Sequence, residues 1–247
     1  MAYEVFMNSL KVTALQTRIF RRQENLLSFI MSEVPKELWQ ENCVIAITSK
    51  LVSLHENRLV AKEGTNKLDL IKKESEIYLG EIAYGCHLSI KQGQLLATAG
   101  IDESNSETGE YILYPQDPYQ SAHNLRAEIQ KQTGLKNIGV LITDSHSGPL
   151  RHGVLGSCVS FAGFQPIKNR VGDKDIFGRP LKMTKQNQAD ALAAAAVLMM
   201  GEAAERCPLA MISGAPVEFS ENTNRQDLEV PMQQDMYLPL YEHLLKK

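Results

Sequence analysis

Residues 140–156 read VLITDSHSGPLRHGVLG, a short apolar run followed by a cluster of polar side chains. The apolar run has the length and composition of a buried strand, and we expect that strand to stop at Thr143. Asp144 and Ser145 would then lie at the strand end, just before a Ser-Gly-Pro turn at 147–149. A carboxylate fixed in this way, beside a hydroxyl and a Gly/Pro loop, suits a metal ion or a phosphate. A strand end capped by a turn-forming Asp-Ser pair is the alternative.

Similar segments predict further strands at 10–15 and 44–47, and another apolar run lies at 209–212. Apolar residues at helical spacing predict helices at 25–31, 121–132 and 190–200. The third of these reads DALAAAAVLMM, and its alanines favour both helix formation and close packing. Residues 82–99 predict a strand pair. The charged residues 56–80 predict a solvated helical region that is broken at 64–66.

The bulk properties narrow the class of protein. The chain has 247 residues, which suits one large domain or two small ones, and 43% of them are hydrophobic. The net charge of -3 gives no reason to expect binding to nucleic acid or to an anionic membrane. No apolar run reaches the roughly 18 residues that a membrane span needs. The N-terminal residues lack the pattern of a secretory signal.

The four cysteines indicate a reducing compartment. They are widely spaced and form no CxxC pair, which argues against a zinc site. Three of them, Cys43, Cys86 and Cys158, lie in apolar or small-residue surroundings and are interpreted as buried thiols, whereas Cys207 precedes a proline and suits a loop. We therefore expect a cytoplasmic protein.

Two other polar segments carry candidate binding residues. Thr48-Ser49-Lys50 follows an apolar strand and supplies hydroxyls and an ammonium suited to a phosphate, although on spacing alone a surface lysine is the preferred interpretation. Residues 99–105 read AGIDESN, in which Asp102, Glu103 and the following hydroxyl and amide are the oxygen ligands that hard cations prefer. An Asx-type turn is the alternative for this second segment.

Two arginines are candidates for binding an anionic group of a substrate. Arg179 lies in the segment DKDIFGR, whose carboxylates, glycine and arginine suggest a binding loop, and Arg151 follows the turn at 147–149. A guanidinium binds phosphate or carboxylate through two parallel hydrogen bonds. His146 and His152 flank the same turn and suit an acid or base role, but exposed loop histidines are the commoner case.

Taken together, these segments resemble the coenzyme F420-0:gamma-glutamyl ligase family, of which the chain looks like a divergent member. The matching segments appear in the order of that family and span roughly residues 44–214. They are ITSKLVS (47–53), ENR (56–58), AGIDESN (99–105), YPQDPYQSA (114–122), VLITDS (140–145), RHGVLG (151–156), DKDIFGRPL (173–181) and ADALAAAAVLMMGE (189–202).

The resemblance implies a fold and a reaction. The fold would be α+β, with mixed sheets, packed helices and two intertwined subdomains within a single domain, 1–247, that lacks a nitroreductase domain. The reaction would couple the carboxylate of F420-0 to the amine of L-glutamate through an acyl phosphate, with GTP as co-substrate. Mg²⁺ or Mn²⁺ would be required, and K⁺ is a further candidate. The protein would act as a cytoplasmic homodimer.

The resemblance also implies roles for individual residues. Four oxygen-bearing residues would hold metal ions: Asp102, Asp144, Ser145 and Glu202. Ser145 stands where the family usually has threonine, and its hydroxyl can still ligate. Lys50 and Asn105 would contact the nucleotide. The hypothesis depends on Asp102 and Asp144 reaching one cation, with Lys50 facing the same pocket.

Three departures from the family pattern keep other functions open. Residues 13–16, 147–149 and 203–206 replace, respectively, a Gly-Ile/Leu-Pro turn, a Gly-Arg-Pro segment and a glycine-rich segment of the family. Glycines let the backbone approach a phosphate closely, and their loss alters the presumed nucleotide site. GTP and ATP therefore both remain candidates. The alternatives are a ligase of this family with a different acceptor, and a non-catalytic ligand-binding or regulatory protein.

Overall fold

A computed structural model describes residues 9–245, which leaves the N-terminal residues discussed above outside the described part. The chain forms two compact units, each assembled from several segments. Of the described residues, unit 1 contains 9–20, 25–49 and 117–228, and unit 2 contains 21–24, 50–116 and 229–245. Several sheets and packed helices confirm the predicted α+β class.

Unit 1 is built on a five-stranded sheet with the order β1-β12-β2-β8-β9. Its strands are β1 (Lys11–Leu15), β2 (Cys43–Thr48), β8 (Ile138–Ser147), β9 (Val154–Ala162) and β12 (Leu209–Ser213). β2 pairs with β8 in parallel, whereas the other neighbours are antiparallel. The first five residues of β2 are buried, as expected for a continuous apolar run in the middle of a sheet that is covered on both faces.

Helices cover the sheet of unit 1. α4 (Pro118–Thr133) and α5 (Gln188–Met200) contact its strands, and α1 (Leu26–Glu33) packs against α4. Three alanines of α5, at 189, 193 and 196, lie in one buried cluster with Val44, Ala46 and Leu141 of the sheet. Since neighbouring strand residues point to opposite faces, Ile45 and Ile47 project to the other face. The predicted helices at 25–31, 121–132 and 190–200 are thus confirmed, within a few residues at each end.

Strand β8 is longer than predicted, because it does not stop at Thr143. The pairing of β2 with β8 ends at Thr48 and Thr143, but β8 continues to Ser147 as one arm of a hairpin with β9. A bulge between Ile142 and Thr143 marks the change. Beyond it β8 no longer pairs with β2, so half-exposed polar residues are tolerated there. Asp144 therefore lies within a strand, opposite Ser157, and not at the strand end.

A short antiparallel ribbon precedes α5 in unit 1. It consists of β10 (Ile167–Asn169) and β11 (Lys185–Asn187). Between them, residues 170–184 form the exposed segment in which DKDIFGR lies.

Unit 2 combines small sheets with short helices. It holds most of α2 (Ser49–His55), then β3 (Leu59–Val60), α3 (Lys67–Glu74), β4 (Ile77–Glu81), β5 (His87–Lys91), β6 (Gln94–Ala97), β7 (Tyr111–Ile112) and α6 (Leu238–Tyr241). β4, β5 and β6 form an antiparallel sheet, and β3 pairs with β7. The strand pair predicted within 82–99 is confirmed. The helical prediction for 56–80 is wrong outside α3, because β3 pairs with the distant β7 and β4 pairs with the next strand, β5.

No helix within residues 9–245 is long and apolar enough to cross a bilayer. All four cysteines carry thiols, of which Cys43 and Cys158 are buried and Cys86 and Cys207 are half-buried.

Candidate functional site

The AGIDESN segment of unit 2 begins with a left-handed turn. Thr98, Ala99 and Gly100 have φ angles of 58°, 53° and 70°, and Ile101 N donates to Thr98 O over 3.0 Å. A residue other than glycine in this conformation costs roughly 1–2 kcal/mol. Directly after the turn, the backbone of Asp102 exchanges two hydrogen bonds with Ile112 of β7, of 2.9 and 2.8 Å. The turn and this bridge hold the backbone of Asp102 on both sides.

The Asp102 carboxylate lies at the centre of a compact polar cluster in unit 2. Lys50, in the first turn of α2, places its Nζ 2.7 Å from Asp102 Oδ2 and donates to Ser104 Oγ over 3.3 Å. The Ser104 N–H and hydroxyl donate to Asp102 Oδ1 over 2.6 and 2.7 Å. Lys50 and Asp102, which sequence analysis placed in one pocket, are thus brought together.

Electrostatics keep this carboxylate ionised. Partial burial alone would raise the pKa of Asp102, but the hydrogen bond and charge of Lys50, together with the two Ser104 donors, lower it by more. The pKa of Asp102 therefore lies below its ordinary value. An ionised, half-buried carboxylate is a suitable ligand for a hard cation.

Two lysines beside this cluster were missed in the sequence. Lys62 Nζ lies 2.9 Å from Glu103 Oε2, and Lys67 Nζ contacts Glu103 Oε1. Hydrogen bonds from these lysines lower the pKa of Glu103. Both lysines belong to the stretch interpreted as a solvated face, and each lies more than 35 residues from Glu103 in sequence, so no local pattern links them.

Asn105 lies at the exposed end of the same turn. It adopts a φ of 61°, and its Nδ2 donates to Ser104 Oγ over 3.4 Å. Asn105 thus adjoins the Lys50–Asp102–Ser104 cluster, and its role in contacting a nucleotide stays a prediction.

The ENR segment of unit 2 anchors the chain at 114–116. Arg58 Nε donates to Tyr114 O over 3.0 Å, and Glu56 Oε2 accepts from Gln116 N over 2.8 Å. The Arg58 guanidinium also pairs with Glu74 Oε2 over 2.6 Å, and Lys91 Nζ reaches the same oxygen over 2.6 Å. Arg58 thus links this largely buried triad to the YPQ segment that precedes α4.

Asp144 and Ser145 lie next to each other on β8 in unit 1. Ser145 N donates to Asp144 Oδ1 over 2.9 Å, and the hydroxyl of Ser157 on β9 donates to Asp144 O over 3.3 Å. Both residues are half-buried. Antiparallel pairing with β9 therefore fixes the backbone that carries the carboxylate and the hydroxyl.

The three remaining candidates are exposed residues of unit 1. Glu202 follows Gly201, which ends α5. Arg151 lies at the tip of the β8–β9 hairpin, where its N–H donates to Gly148 O over 3.4 Å. Arg179 pairs with Asp175 over 2.8 Å and lies 5.3 Å from the ring of Phe177, so its guanidinium contacts its own turn.

The donor set fits a magnesium-type ion that a substrate helps to bind. Within residues 9–245, no three His, Cys, Asp or Glu side chains come together as a ready-made metal site. Mg²⁺ is commonly held by one or two carboxylates together with substrate phosphates and water. Asp102 in unit 2, and Asp144 with Ser145 in unit 1, supply ligands of that kind. That Asp102 and Asp144 serve one cation stays a prediction.

A comparison with protein families defines the class of this chain as a ligase. The family model described as F420-0:Gamma-glutamyl ligase matches residues 14–214, a range that contains every candidate residue described above. The chain belongs to the F420-0:gamma-glutamyl ligase family.

Individual relatives agree with this assignment. The chain is 34% identical over 245 residues to the coenzyme F420:L-glutamate ligase of Methanocaldococcus jannaschii, covering 92% of this chain and 96% of that protein. It is 32% identical over 216 residues to the protein of that name from Archaeoglobus fulgidus, covering 81% and 85%. The corresponding protein of Methanothermobacter thermautotrophicus is 35% identical over 190 residues, covering 70% and 75%.

Proposed function

We propose that this protein forms an amide between the carboxylate of coenzyme F420-0, or a related acid, and the amine of L-glutamate, using GTP and Mg²⁺ or Mn²⁺. The observation that carries this proposal is the family match over residues 14–214. The cluster of Lys50, Asp102 and Ser104 supports it, because it places an ammonium and an ionised carboxylate side by side. The ammonium suits a phosphate group, and the carboxylate suits a divalent cation.

The proposed chemistry has two steps. An oxygen of the acceptor carboxylate attacks the γ-phosphorus, the nucleoside diphosphate leaves, and an acyl phosphate results. The amine nitrogen of glutamate then attacks the acyl carbon, inorganic phosphate leaves, the amine releases a proton, and the amide bond forms. Both steps bring several anionic oxygens together, so positioning and charge neutralisation supply most of the catalysis.

Each candidate residue has a place in this scheme. Lys50 and Asn105 bind the nucleotide, and Lys50 neutralises phosphate charge. Arg151 and Arg179 bind the phosphate or carboxylate of the acceptor. The metal ligands are Asp102, Asp144, Ser145 and Glu202. A bound divalent cation would polarise the phosphoryl oxygens, and K⁺ is proposed as a further ion.

We also propose a cytoplasmic homodimer. The thiol state of all four cysteines agrees with a reducing compartment. Unit 1 exposes large apolar side chains on the β8–β9 hairpin and on the segment 170–184, where Leu150 is 100%, Ile176 93% and Met183 82% exposed. Contiguous exposed apolar patches mark contacts between subunits, and we propose that these side chains contribute to one.

The proposed activity is tested by phosphate release with GTP or ATP, F420-0 and glutamate, and by mass analysis of the product. We expect Lys50→Met to lower kcat by about 10²–10³-fold, since it removes a charge that opposes developing phosphate charge. Lys131→Met, on the exposed face of α4, is the matched control and should keep wild-type turnover.

The same assay separates the alternatives. Turnover with another acid but not with F420-0 would favour a shifted acceptor, which the changed segment 147–149 motivates. Binding of nucleotide without its consumption by any acid would favour a non-catalytic binding protein. If the protein neither consumes nucleotide nor binds Mn²⁺, the proposed function is wrong.

A further inference from the structure

The left-handed turn before Asp102 depends on one buried hydroxyl. Ser89, on β5, is fully buried, with 0% of its surface exposed. Its Oγ accepts a hydrogen bond from Ala99 N over 3.0 Å and donates one to Leu96 O over 3.2 Å. Ala99 is the central residue of the turn and is also fully buried. The hydroxyl therefore satisfies a backbone donor that β5 and β6 leave outside their own pairing.

The turn itself is one that the chain would otherwise avoid. Thr98 and Ala99 have φ angles of 58° and 53°, although both carry a Cβ that disfavours this region. Gly100 follows at 70°, and a Cβ on it would lie 2.5 Å from the ring of Tyr114. Residues held in such conformations persist only where their surroundings fix them, and they cluster at functional sites.

We propose that Ser89 is a positioning residue for the reaction, because its hydroxyl sets the turn that delivers Asp102 to Lys50 and to the metal. This inference rests on the proposed function for the role of Asp102. Only two residues separate Ala99 from Asp102, and the hydrogen bonds with Ile112 do not fix the chain on the Ala99 side of Asp102. Without the hydroxyl, the buried Ala99 N–H lacks its acceptor and the turn can relax to right-handed conformations. The Asp102 carboxylate then moves away from Lys50 Nζ and the Ser104 donors.

The first test measures Mn²⁺ affinity by electron paramagnetic resonance, together with kcat and KM for nucleotide. Ser89→Ala should weaken Mn²⁺ binding by about 10–100-fold, the usual effect of removing a group that orients a ligand. Ser160→Ala is the matched control, since Ser160 is also fully buried and donates to a backbone carbonyl, that of Pro118. It should change Mn²⁺ affinity by less than about threefold. Equal losses in the two variants would overturn the inference.

A second variant separates positioning from loss of packing. Ala99→Gly, added to Ser89→Ala, removes the penalty for a positive φ at residue 99 and should restore part of the lost Mn²⁺ affinity. The same change also removes a buried methyl group, so a purely structural defect would become worse. No recovery of affinity in the double variant counts against the proposal.

A third measurement does not depend on metal binding or turnover. Lys50→Met should lower the urea midpoint less in the Ser89→Ala background than in the wild type, because the ion pair with Asp102 is already weakened there. Additive shifts would contradict the positioning role. A third outcome is a smaller effect of Lys50→Met in the Ser89→Ala background together with no Mn²⁺ binding by the wild type. In that case Ser89 positions Asp102, but the proposed function is wrong.

Discussion

One carboxylate oxygen of Glu74 forms ion pairs with two cationic side chains, those of Lys91 and Arg58. Lys91 Nζ and Arg58 Nη2 each lie 2.6 Å from Glu74 Oε2, and the side chains of Lys91 and Glu74 are only 8% and 11% exposed. Burial alone would raise the pKa of Glu74, but the hydrogen bonds and charges of Lys91 and Arg58 lower it by more. The pKa of Glu74 in the folded protein is thus below that in the unfolded chain.

This lowered pKa predicts a pH dependence of stability. At pH values near the unfolded pKa of about 4.3 and below, the unfolded chain binds more protons at this position than the folded protein. The contribution of Glu74 is therefore complete above that pKa and is lost as the pH falls through the lower, folded pKa. Urea unfolding between pH 7 and pH 3 should show this loss in the wild type and a flatter dependence in Glu74→Gln.

Glu74→Gln should also be unstable at neutral pH. It leaves two largely buried cations without their counter-charge, a change that typically costs about 3–5 kcal/mol. Glu128→Gln, on the exposed face of α4, is the control and should change the free energy of unfolding by less than about 0.5 kcal/mol. Equal stability of the two variants at pH 7 would show that the triad does not stabilise the fold.

At the level of single residues, sequence reasoning found part of the candidate site. It assigned Lys50 and Asp102 to the site through the resemblance to the family, since on spacing alone a surface lysine is the preferred interpretation for Lys50 and an Asx-type turn remains open for Asp102. It did not find Lys62, Lys67 or Ser89, because their partners lie far away in sequence or are backbone groups. An ordinary serine in a strand gives no signal that its hydroxyl will support a left-handed turn.

Helix α5 and strand β9 pack closely enough to exclude even a methyl group. A Cβ placed on Gly156 would lie 2.6 Å from the backbone oxygen of Ala193 and 2.6 Å from Val197 Cβ. Because one of the clashing atoms is a backbone oxygen, a change of side-chain rotamer cannot relieve the clash. Small residues on both elements are what allow this close approach.

Gly156→Ala should therefore destabilise unit 1. Inserting a methyl group into a tightly packed core costs about 1–3 kcal/mol, and a fall of that size in the free energy of urea unfolding is expected. Gly148→Ala is the matched control, since a Cβ there meets nothing within 4 Å. A wild-type midpoint for Gly156→Ala would show that α5 can shift on the sheet at little cost.

Elements with a strong periodic pattern were predictable, and those defined by distant pairing were not. α5 and β2 carry their apolar patterns throughout, so sequence located both. β8 continues four residues beyond Thr143 because β9 supplies hydrogen bonds, and polar side chains hide that continuation. β3 has only two residues and pairs with β7, about fifty residues later, so the surrounding charged sequence concealed it.

For the whole molecule, the exposed apolar side chains of unit 1 predict self-association. Replacing Leu150 and Ile176 together by aspartate should convert the proposed dimer into a monomer, because each would place a charge in a desolvated contact. Sedimentation velocity at micromolar concentration measures the outcome. Tyr84→Asp is the control, since Tyr84 is equally exposed but belongs to unit 2. A wild-type monomer, or dissociation by the control alone, would contradict this location of the interface.

The family and the α+β class of the molecule could be predicted from sequence, since motifs in a fixed order carry that information over most of the chain. The division into two units was harder to predict in detail. Each unit draws on three separate stretches, and local patterns do not reveal which stretches associate.

The contact between Gly100 and Tyr114 restricts how this loop can vary in evolution. A smaller residue at 114 would open space beside position 100, but the backbone there would still require a positive φ. A change at Tyr114 therefore cannot make another residue favourable at position 100. Divergent homologues are expected to keep glycine at position 100, whatever residue stands at position 114.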